Sequence, residues 1–238
     1  MIDILTFGGK SLSDFNTYWD GSKVFVKPVK QYNKYDVPGR NGSLTRSQKA
    51  FGNVTISFSC FIRRDFKKYY SQLVDYLNSL DGYQRLETTT EPDVFRMAVF
   101  HSAVTPTTGS WNHSGKFTIE FDCMPQQFLK SGEVPVEILP NKEFILKNPA
   151  YQSAKPMIKV TGTGQFAVNG QTVIVSSNPG TVYIDSELMD SYAIVSGAYV
   201  NMNPYVVVPE GYVLLRQGEN VIATDSITVE ITPRWFRI

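Results

Sequence analysis

Three carboxylates lie close together in the stretch IDSELMD, at Asp185, Glu187 and Asp190. Catalysis by paired carboxylates requires two such groups to converge on a cleft, where one donates a proton and the other activates water or attacks. The same pattern is typical of a solvated turn between two strands. We favour the turn, and we keep a hydrolase that acts through these residues as an alternative function.

Two histidines and two cysteines are the other side chains with an obvious chemical use. We predict that His101 lies in the middle of a strand, and His113 lies in a loop beside Ser114 with no partner to orient it as a base. Cys60 and Cys123 each fall on the apolar side of an alternating run, which predicts two free thiols in the core. The separations match no paired metal-binding spacing, so we predict no catalytic, metal or cofactor site.

The stretch TGTGQFAVNGQ contains Gly162, Gly164 and Ala167 in the spacing of a dinucleotide-binding turn. That spacing binds a pyrophosphate only where a strand precedes it and a helix follows it. Here Asn169-Gly170 stands between β-branched runs, which is a strong signal for a two-residue hairpin. We therefore predict strands on both sides of the glycines and no bound nucleotide.

The stretch YVNMNPYVV resembles part of the galectin sugar motif H-x-N-P-R, to which Asn203 and Pro204 correspond. Asn201 stands in place of the histidine and Tyr205 in place of the arginine, and no histidine follows His113. Fold does not carry function with it. We predict that these residues shape a turn and a sheet edge and that they bind no simple sugar.

Composition narrows the class of protein further. The chain has 238 residues, 42% of them hydrophobic and 19% charged, with a formal net charge of +1. A packed core is expected, and electrostatics do not favour nucleic acid or an anionic membrane as the main partner. No apolar run reaches the roughly 18 residues of a membrane span. The first residues lack the pattern of a signal peptide, so we expect synthesis in the cytoplasm and no membrane insertion.

The first part of the chain is predicted to be strands with one helix. Apolar residues in steps of four and three predict an amphipathic helix over 65–80, with Asp65 as N-cap and Gly82 as its stop: Phe66, Tyr70, Leu73, Leu77 and Leu80. The opposite face carries polar residues. We predict an extended segment at 23–33, a loop at 37–44 and three strands at Val54–Arg63, Val94–Val104 and Lys116–Met124.

The periodicity weakens between Phe128 and Asn141, where glycine and proline recur, so we place a domain boundary near residue 130. The predicted domains are 1–130 and 131–238. The second holds about ten short strands, which is typical of a sandwich or jelly roll. Their predicted ranges are 143–146, 157–161, 165–168, 172–176, 181–185, 192–195, 205–208, 211–216, 220–223 and 226–232.

The order of these features resembles the distal tail proteins (Dit) of long-tailed, siphovirus-type bacteriophages and prophages. The resemblance rests on VPGRNGSL after an early strand, FSCFI before the helix, FTIEFDCMPQQF at the end of the first domain and LKNPAYQSAKPMIKVTGTGQFAVNGQ at the start of the second. LLRQGENVI and SITVEITPRW complete the pattern. It implies a mainly β protein with an N-terminal β-sandwich plus helix and a C-terminal galectin-like β-sandwich.

The resemblance also implies a function. It predicts a non-enzymatic virion protein of the tail tip, or baseplate hub, that is made in the cytoplasm of the host bacterium. Six copies would form a ring that connects the tail tube protein to the tail-associated hub protein and to receptor-binding proteins for host attachment. DNA would pass through the lumen without specific nucleic-acid binding. The alternative, from another class, is a monomeric carbohydrate-binding β-sandwich.

Overall fold

A computed structural model describes residues 4–21, 26–108, 113–177 and 180–238. The protein is mainly β, as predicted, and it divides into two compact units. The first unit is Met1–Gln127 together with Ile238, and the second is Phe128–Arg237. Within the described ranges, no helix is both long and apolar enough to cross a membrane.

The first unit is built on one curved sheet. Its phenylalanine rings at Phe7 and Phe121 lie 4.6 Å apart, although three strand spacings, about 14 Å in a flat sheet, separate their strands. The sheet therefore wraps around its own core. The strands are β1 (Leu5–Phe7), β2 (Lys10–Ser11), β3 (Thr17–Trp19), β4 (Lys30–Tyr35), β5 (Leu44–Phe51), β6 (Val54–Ile62), β7 (Gln84–Thr88), β8 (Val94–Phe100), β9 (Thr107–Thr108) and β10 (Gly115–Cys123).

The sheet follows the order β2-β1-β7-β8-β10-β6-β3, and β9 pairs with β10. A short 3-10 helix, Leu12–Phe15, lies between β2 and β3. β6 and β10 form the longest ladder, in which inward-facing residues are buried and alternate with residues on the outer face. β4 and β5 do not join this sheet but form a separate two-stranded sheet.

Helix α1 spans Phe66–Asn78, close to its predicted range. Phe66, Leu73 and Leu77 are buried in the core of the first unit. The helix lies so close to the sheet at Gly115 that a Cβ there would come within 2.5 Å of the Phe66 ring. The predicted polar face is exposed, with Lys67, Lys68, Gln72 and Asp75.

The prediction that the Asp65 side chain caps the N-terminus of α1 is wrong. Asp65 does precede the helix, but it has φ 51° and its side chain makes no capping hydrogen bond. An N-cap residue usually has extended φ and ψ angles, which bring its side chain to the free N–H groups. The N–H of Phe66 donates instead to the carbonyl of His113, at 3.3 Å.

The second unit is a two-sheet sandwich. One sheet has the order β12-β22-β14-β17-β18-β19 and the other β13-β21-β15-β16-β20, while β11 pairs with β23. A single core cluster draws buried residues from both sheets. The strands are β11 (Gln127–Leu129), β12 (Val136–Ile138), β13 (Glu143–Asn148), β14 (Met157–Thr161), β15 (Gly164–Val168), β16 (Gln171–Val175), β17 (Thr181–Asp185), β18 (Asp190–Val195), β19 (Ala198–Asn201), β20 (Val206–Val207), β21 (Gly218–Thr224), β22 (Thr228–Thr232) and β23 (Phe236–Arg237). Two 3-10 helices are Lys130–Glu133 and Asn203–Tyr205.

The strand prediction for this unit fails in several places, and it lacks the short strands β11 and β23 altogether. The prediction lacks β19, an entirely exposed strand that follows a turn at Ser196-Gly197, where both φ angles are positive. It also placed a strand at 211–216, where the structure has only an isolated bridge between Leu215 and Ala154. Val213 and Leu215 are buried. The apolar pattern of this segment therefore reflects burial of every second side chain and not pairing with another strand.

We expect the second unit to fold by itself. The fragment Phe128–Ile238 should be soluble and should melt cooperatively in circular dichroism. The shorter fragment Glu133–Ile238 should melt at a lower temperature, because it loses the hydrogen bond from Leu129 N–H to the Trp235 carbonyl (2.8 Å) and the ring contact of Phe128 with Phe236. An insoluble or molten product from both fragments would contradict the predicted domain organisation.

Candidate functional site

Asp185 is the most constrained of the three candidate carboxylates. It is only 3% exposed at the end of β17, so the prediction of a solvated turn is wrong at this residue. Both of its oxygens accept hydrogen bonds at 2.8 Å from the two terminal nitrogens of Arg234. The N–H groups of Glu187 and Leu188 donate to Oδ1 at 2.9 and 3.2 Å.

The pKa of Asp185 follows from these contacts. Burial raises the pKa, but the hydrogen bonds and charge of Arg234, with the two backbone N–H groups, lower it by more, and the net shift is downward. A carboxylate held ionised by a bidentate arginine is well suited to anchor a structure. It is poorly suited to donate a proton as a general acid.

The other two carboxylates have different partners. Glu187 is exposed and pairs with Lys155, at 3.4 Å between Nζ and Oε2. Asp190 accepts a hydrogen bond from the side-chain amide of Asn203 at 2.6 Å and another from the N–H of Ser191. The turn itself lies where it was predicted, at residues 186–189 between β17 and β18. The three groups therefore serve three separate contacts.

The histidines and cysteines occupy unlike surroundings. The prediction that His101 lies mid-strand is wrong, because β8 ends at Phe100 and His101 is exposed beyond it. Cys60 and Cys123 are free and buried, and burial is the main cause that raises the pKa of each thiol to about 12. In the described ranges no group of three or more His, Cys, Asp and Glu side chains is placed to hold a metal ion.

The glycine motif is part of a hairpin, as predicted. β15 begins at Gly164 and pairs with β16, and Asn169-Gly170 closes the turn with φ angles of 52° and 84°. The Asn169 side chain fixes this turn, because its amide donates to Asn220 Oδ1 at 2.9 Å and its oxygen accepts the Val221 N–H at 3.0 Å. A strand follows the glycines, so the helix N-terminus that a pyrophosphate requires does not follow them.

The galectin-like stretch forms the turn between β19 and β20. Asn203 Oδ1 accepts the N–H of Ser191 at 2.8 Å, and the N–H of Asn203 donates to Asn201 Oδ1 at 2.9 Å. The amide of Asn203 also donates to Asp190. These polar groups are engaged in holding the turn, while Tyr205 remains 46% exposed.

We therefore expect no binding of simple sugars through Asn201, Asn203 and Tyr205. The side-chain oxygens of Asn201 and Asn203 already accept backbone N–H groups, and the amide of Asn203 already donates to Asp190. A glycan array probed with the purified protein should give no reproducible signal. A signal that Tyr205→Ala abolishes, and that Tyr151→Ala at another exposed tyrosine leaves intact, would contradict this expectation.

The most prominent surface feature is an arm, which we define as residues 26–51 and which contains the β4–β5 hairpin. Every residue of β4 is exposed, and so are most residues of β5. No residue of the two strands belongs to either core cluster. An isolated two-stranded hairpin is marginally stable in water, so an exposed hairpin that belongs to neither core is expected to require a partner.

The arm also carries an unusual charge. It contains six Lys and Arg residues and a single acidic residue, Asp36, so its net charge is +5 while the rest of the chain carries −4. Large apolar side chains are exposed beside these charges, with Val29 76%, Tyr35 50% and Leu44 49% exposed. The loop predicted at 37–44 covers part of this segment. β5 was not predicted, because its polar residues do not alternate with apolar ones.

Comparisons with known proteins agree with the predicted resemblance. Residues 11–123 match the family described as phage tail protein RIFT-related domain, and this range covers most of the first unit. No curated protein matches the sequence. Among solved structures, the Dit protein of phage SPP1, described as a paradigm of the hub adsorption apparatus in phages that infect Gram-positive hosts, has a TM-score of 0.71 and 15% identity. The match covers 97% of this chain and 98% of that one.

Two baseplate structures are also similar. A chain of the phage P2 baseplate in its activated conformation with Ca has a TM-score of 0.56 and 11% identity, over 100% of this chain and 99% of that one. A chain of the phage p2 baseplate with Sr has a TM-score of 0.54 and 10% identity, over 97% and 98%. The resemblance predicted from the sequence is thus confirmed: residues 11–123 match the model of the phage tail protein RIFT-related domain, and the chain as a whole is similar in fold to the SPP1 distal tail protein.

Proposed function

We propose that this protein is a structural component of the tail tip of a long-tailed phage, where six copies form a ring. The ring connects the tail tube protein to the hub protein and to receptor-binding proteins, and its lumen lets DNA pass. The fold shared with a distal tail protein and with baseplate chains over nearly the whole chain supports a structural role in a tail. Such a role requires no reactive group, and Asp185, Glu187 and Asp190 each serve a structural contact.

The single observation that carries ring formation is the arm. A closed ring of identical subunits needs a head-to-tail interface, in which one surface of each subunit meets a different surface of the next. The arm is such a surface, because its charged and apolar side chains are exposed in the single chain. Its charge of +5, against −4 on the remainder, favours contact with another copy.

The charge distribution also fits passage of DNA. A lumen that binds phosphate tightly would retain the DNA, and affinity for phosphate grows with each neutralised contact. The overall net charge of +1 is small, and contact between arms and neighbours would cover much of the positive charge.

Light scattering on the purified protein tests the ring. The wild type is expected as a hexamer or as stacked rings, whereas a variant in which a short Gly-Ser turn replaces residues 31–50 is expected as a monomer. Its melting temperature should stay close to that of the wild type, because the arm strands contribute nothing to either core. A monomeric wild type at every concentration, with a reproducible glycan signal, would favour the carbohydrate-binding alternative.

A further inference from the structure

A groove of about 800 Å³ lies on the outer face of the first sheet, where β6 and β10 pair. Ser59 and Thr118 are opposite each other in its floor, and Phe61 is opposite Lys116. These residues alternate with the buried residues of the same strands, so the groove is on the face away from the core. Its volume is near the upper end for ligand pockets, large enough for several side chains of a protein segment.

The chemistry of the groove suits a basic segment with aromatic residues. Asp20 and Glu120 contribute carboxylates to its walls, and Phe61 contributes an aromatic ring. That ring already takes a cation on one side, because the guanidinium of Arg63 lies 5.3 Å from its centroid. Carboxylates and ring faces are the groups that attract Lys and Arg side chains.

The arm has the complementary chemistry. Along β4 the side chains of Lys30, Tyr32 and Lys34 alternate with those of the opposite face, and Lys30 lies over the Tyr32 ring at 5.6 Å. Thr45 and Ser47 extend the same face on β5, opposite Lys34 and Tyr32. In the single chain this face is exposed and the groove is open, so the arm does not fill the groove of its own copy.

We propose that the groove receives the arm of a second copy of this chain. The inference rests on the proposed ring and names the surface that completes its interface. Arm and groove are different surfaces of one subunit, so their contact is head-to-tail and can close a ring. The contact pairs a segment of charge +5 with a groove whose charged lining residues are Asp20, Glu120 and Lys116, so that the lining has a net charge of −1. It also covers the exposed apolar residues of the arm.

Disulfide trapping between two single variants tests this contact. Lys34→Cys in the arm and Thr118→Cys in the groove are prepared as separate proteins, mixed and mildly oxidised, so that a mixed disulfide must join two chains. The native thiols of Cys60 and Cys123 should not react, because both are buried and burial raises their pKa to about 12. Tyr32→Cys and Thr45→Cys sample neighbouring arm positions, since a disulfide forms only where the Cα atoms are within about 7 Å.

The matched control replaces the groove partner by Glu137→Cys, on the exposed face of β12. At least one arm variant should give a mixed disulfide with Thr118→Cys at about tenfold the yield of the control pair, and 1 M salt should lower that yield, because the Debye length shrinks to about 3 Å. Equal yields for the groove and control pairs, while light scattering shows a ring, would overturn the proposed contact and leave the ring standing.

A charge exchange provides an independent measurement. Glu120→Lys should weaken assembly by about tenfold through like-charge repulsion, and Lys34→Glu in the same chain should restore it. Glu137→Lys, on the exposed face of β12, is the matched control and should leave assembly unchanged. Unchanged assembly in Glu120→Lys would overturn the proposal. The proposal would also be overturned if variants of the arm assembled normally but lost binding to a DNA duplex, because the arm would then bind nucleic acid and not a second copy. Absence of both oligomer and mixed disulfide would count against the ring itself.

Discussion

Leu73→Ala is expected to lower the free energy of unfolding by about 2–5 kcal/mol, and Leu77→Ala by a similar amount. Both side chains are 0% exposed and pack in the core of the first unit. Each substitution removes buried apolar volume that the curved sheet and the helix cannot close over completely. Urea denaturation of the two variants, followed by circular dichroism, measures the loss.

Lys68→Glu is the control on the opposite face of the same helix. Lys68 is exposed, so its replacement should change the free energy of unfolding by no more than about 0.5 kcal/mol. If the exposed face of α1 takes part in a ring contact, Lys68→Glu will reduce assembly at an unchanged melting temperature. A Leu73→Ala protein as stable as the wild type would contradict the packing of the helix on the sheet.

Arg234→Gln is expected to cost about 3 kcal/mol or more of stability at pH 7, because it leaves the buried carboxylate of Asp185 without its bidentate partner. Asp185→Asn in the same chain should recover part of this loss, since it removes the unpaired charge. Lys159→Gln is a suitable control, because Lys159 also pairs with a carboxylate, Glu230, but that carboxylate is about a third exposed whereas the side chain of Asp185 is 5% exposed. A loss no larger than that of Lys159→Gln would contradict a structural role for the buried pair.

The pH dependence of this difference has a definite sign. The pKa of Asp185 is lower in the folded protein than its ordinary value of 3.8, so the folded state favours the ionised form. Its contribution to stability is fully present above the ordinary value and is lost as the pH falls through the folded pKa. Denaturation curves of wild type and Arg234→Gln should therefore converge at acidic pH. A difference that widens on acidification would contradict the assigned charge state.

The sequence predicted those helices and turns that are determined by residues close together in the chain. The steps of four and three from Phe66 to Leu77 predicted α1, because one side of the helix must be apolar to pack on a sheet. Asn169-Gly170 predicted the β15–β16 turn, since both of its residues require positive φ. In each case the residues that decide the structure are neighbours in the chain.

Features that depend on distant residues escaped prediction. Asp185 and Arg234 are 49 residues apart, and only the sandwich brings them together. β5 carries few apolar residues, because neither face of the arm is buried in the chain, so a pattern of burial could not reveal it. His101 was predicted to lie in a strand that continues to Val104, but strand pairing ends earlier, at Phe100. The groove is a product of sheet curvature and strand order, and no short stretch encodes it.

The positions of the two cysteines determine whether the protein can form an internal disulfide. Cys60 is opposite Phe117 in the β6–β10 ladder, and Cys123 is opposite Val54, so six residues of strand, about 20 Å, separate the thiols. A disulfide needs Cα atoms within about 7 Å, so the native fold cannot form one between them. The covalent structure is thus the same in a reducing and in an oxidising environment. A protein of this design can fold inside a cell and work outside it without any oxidative maturation step.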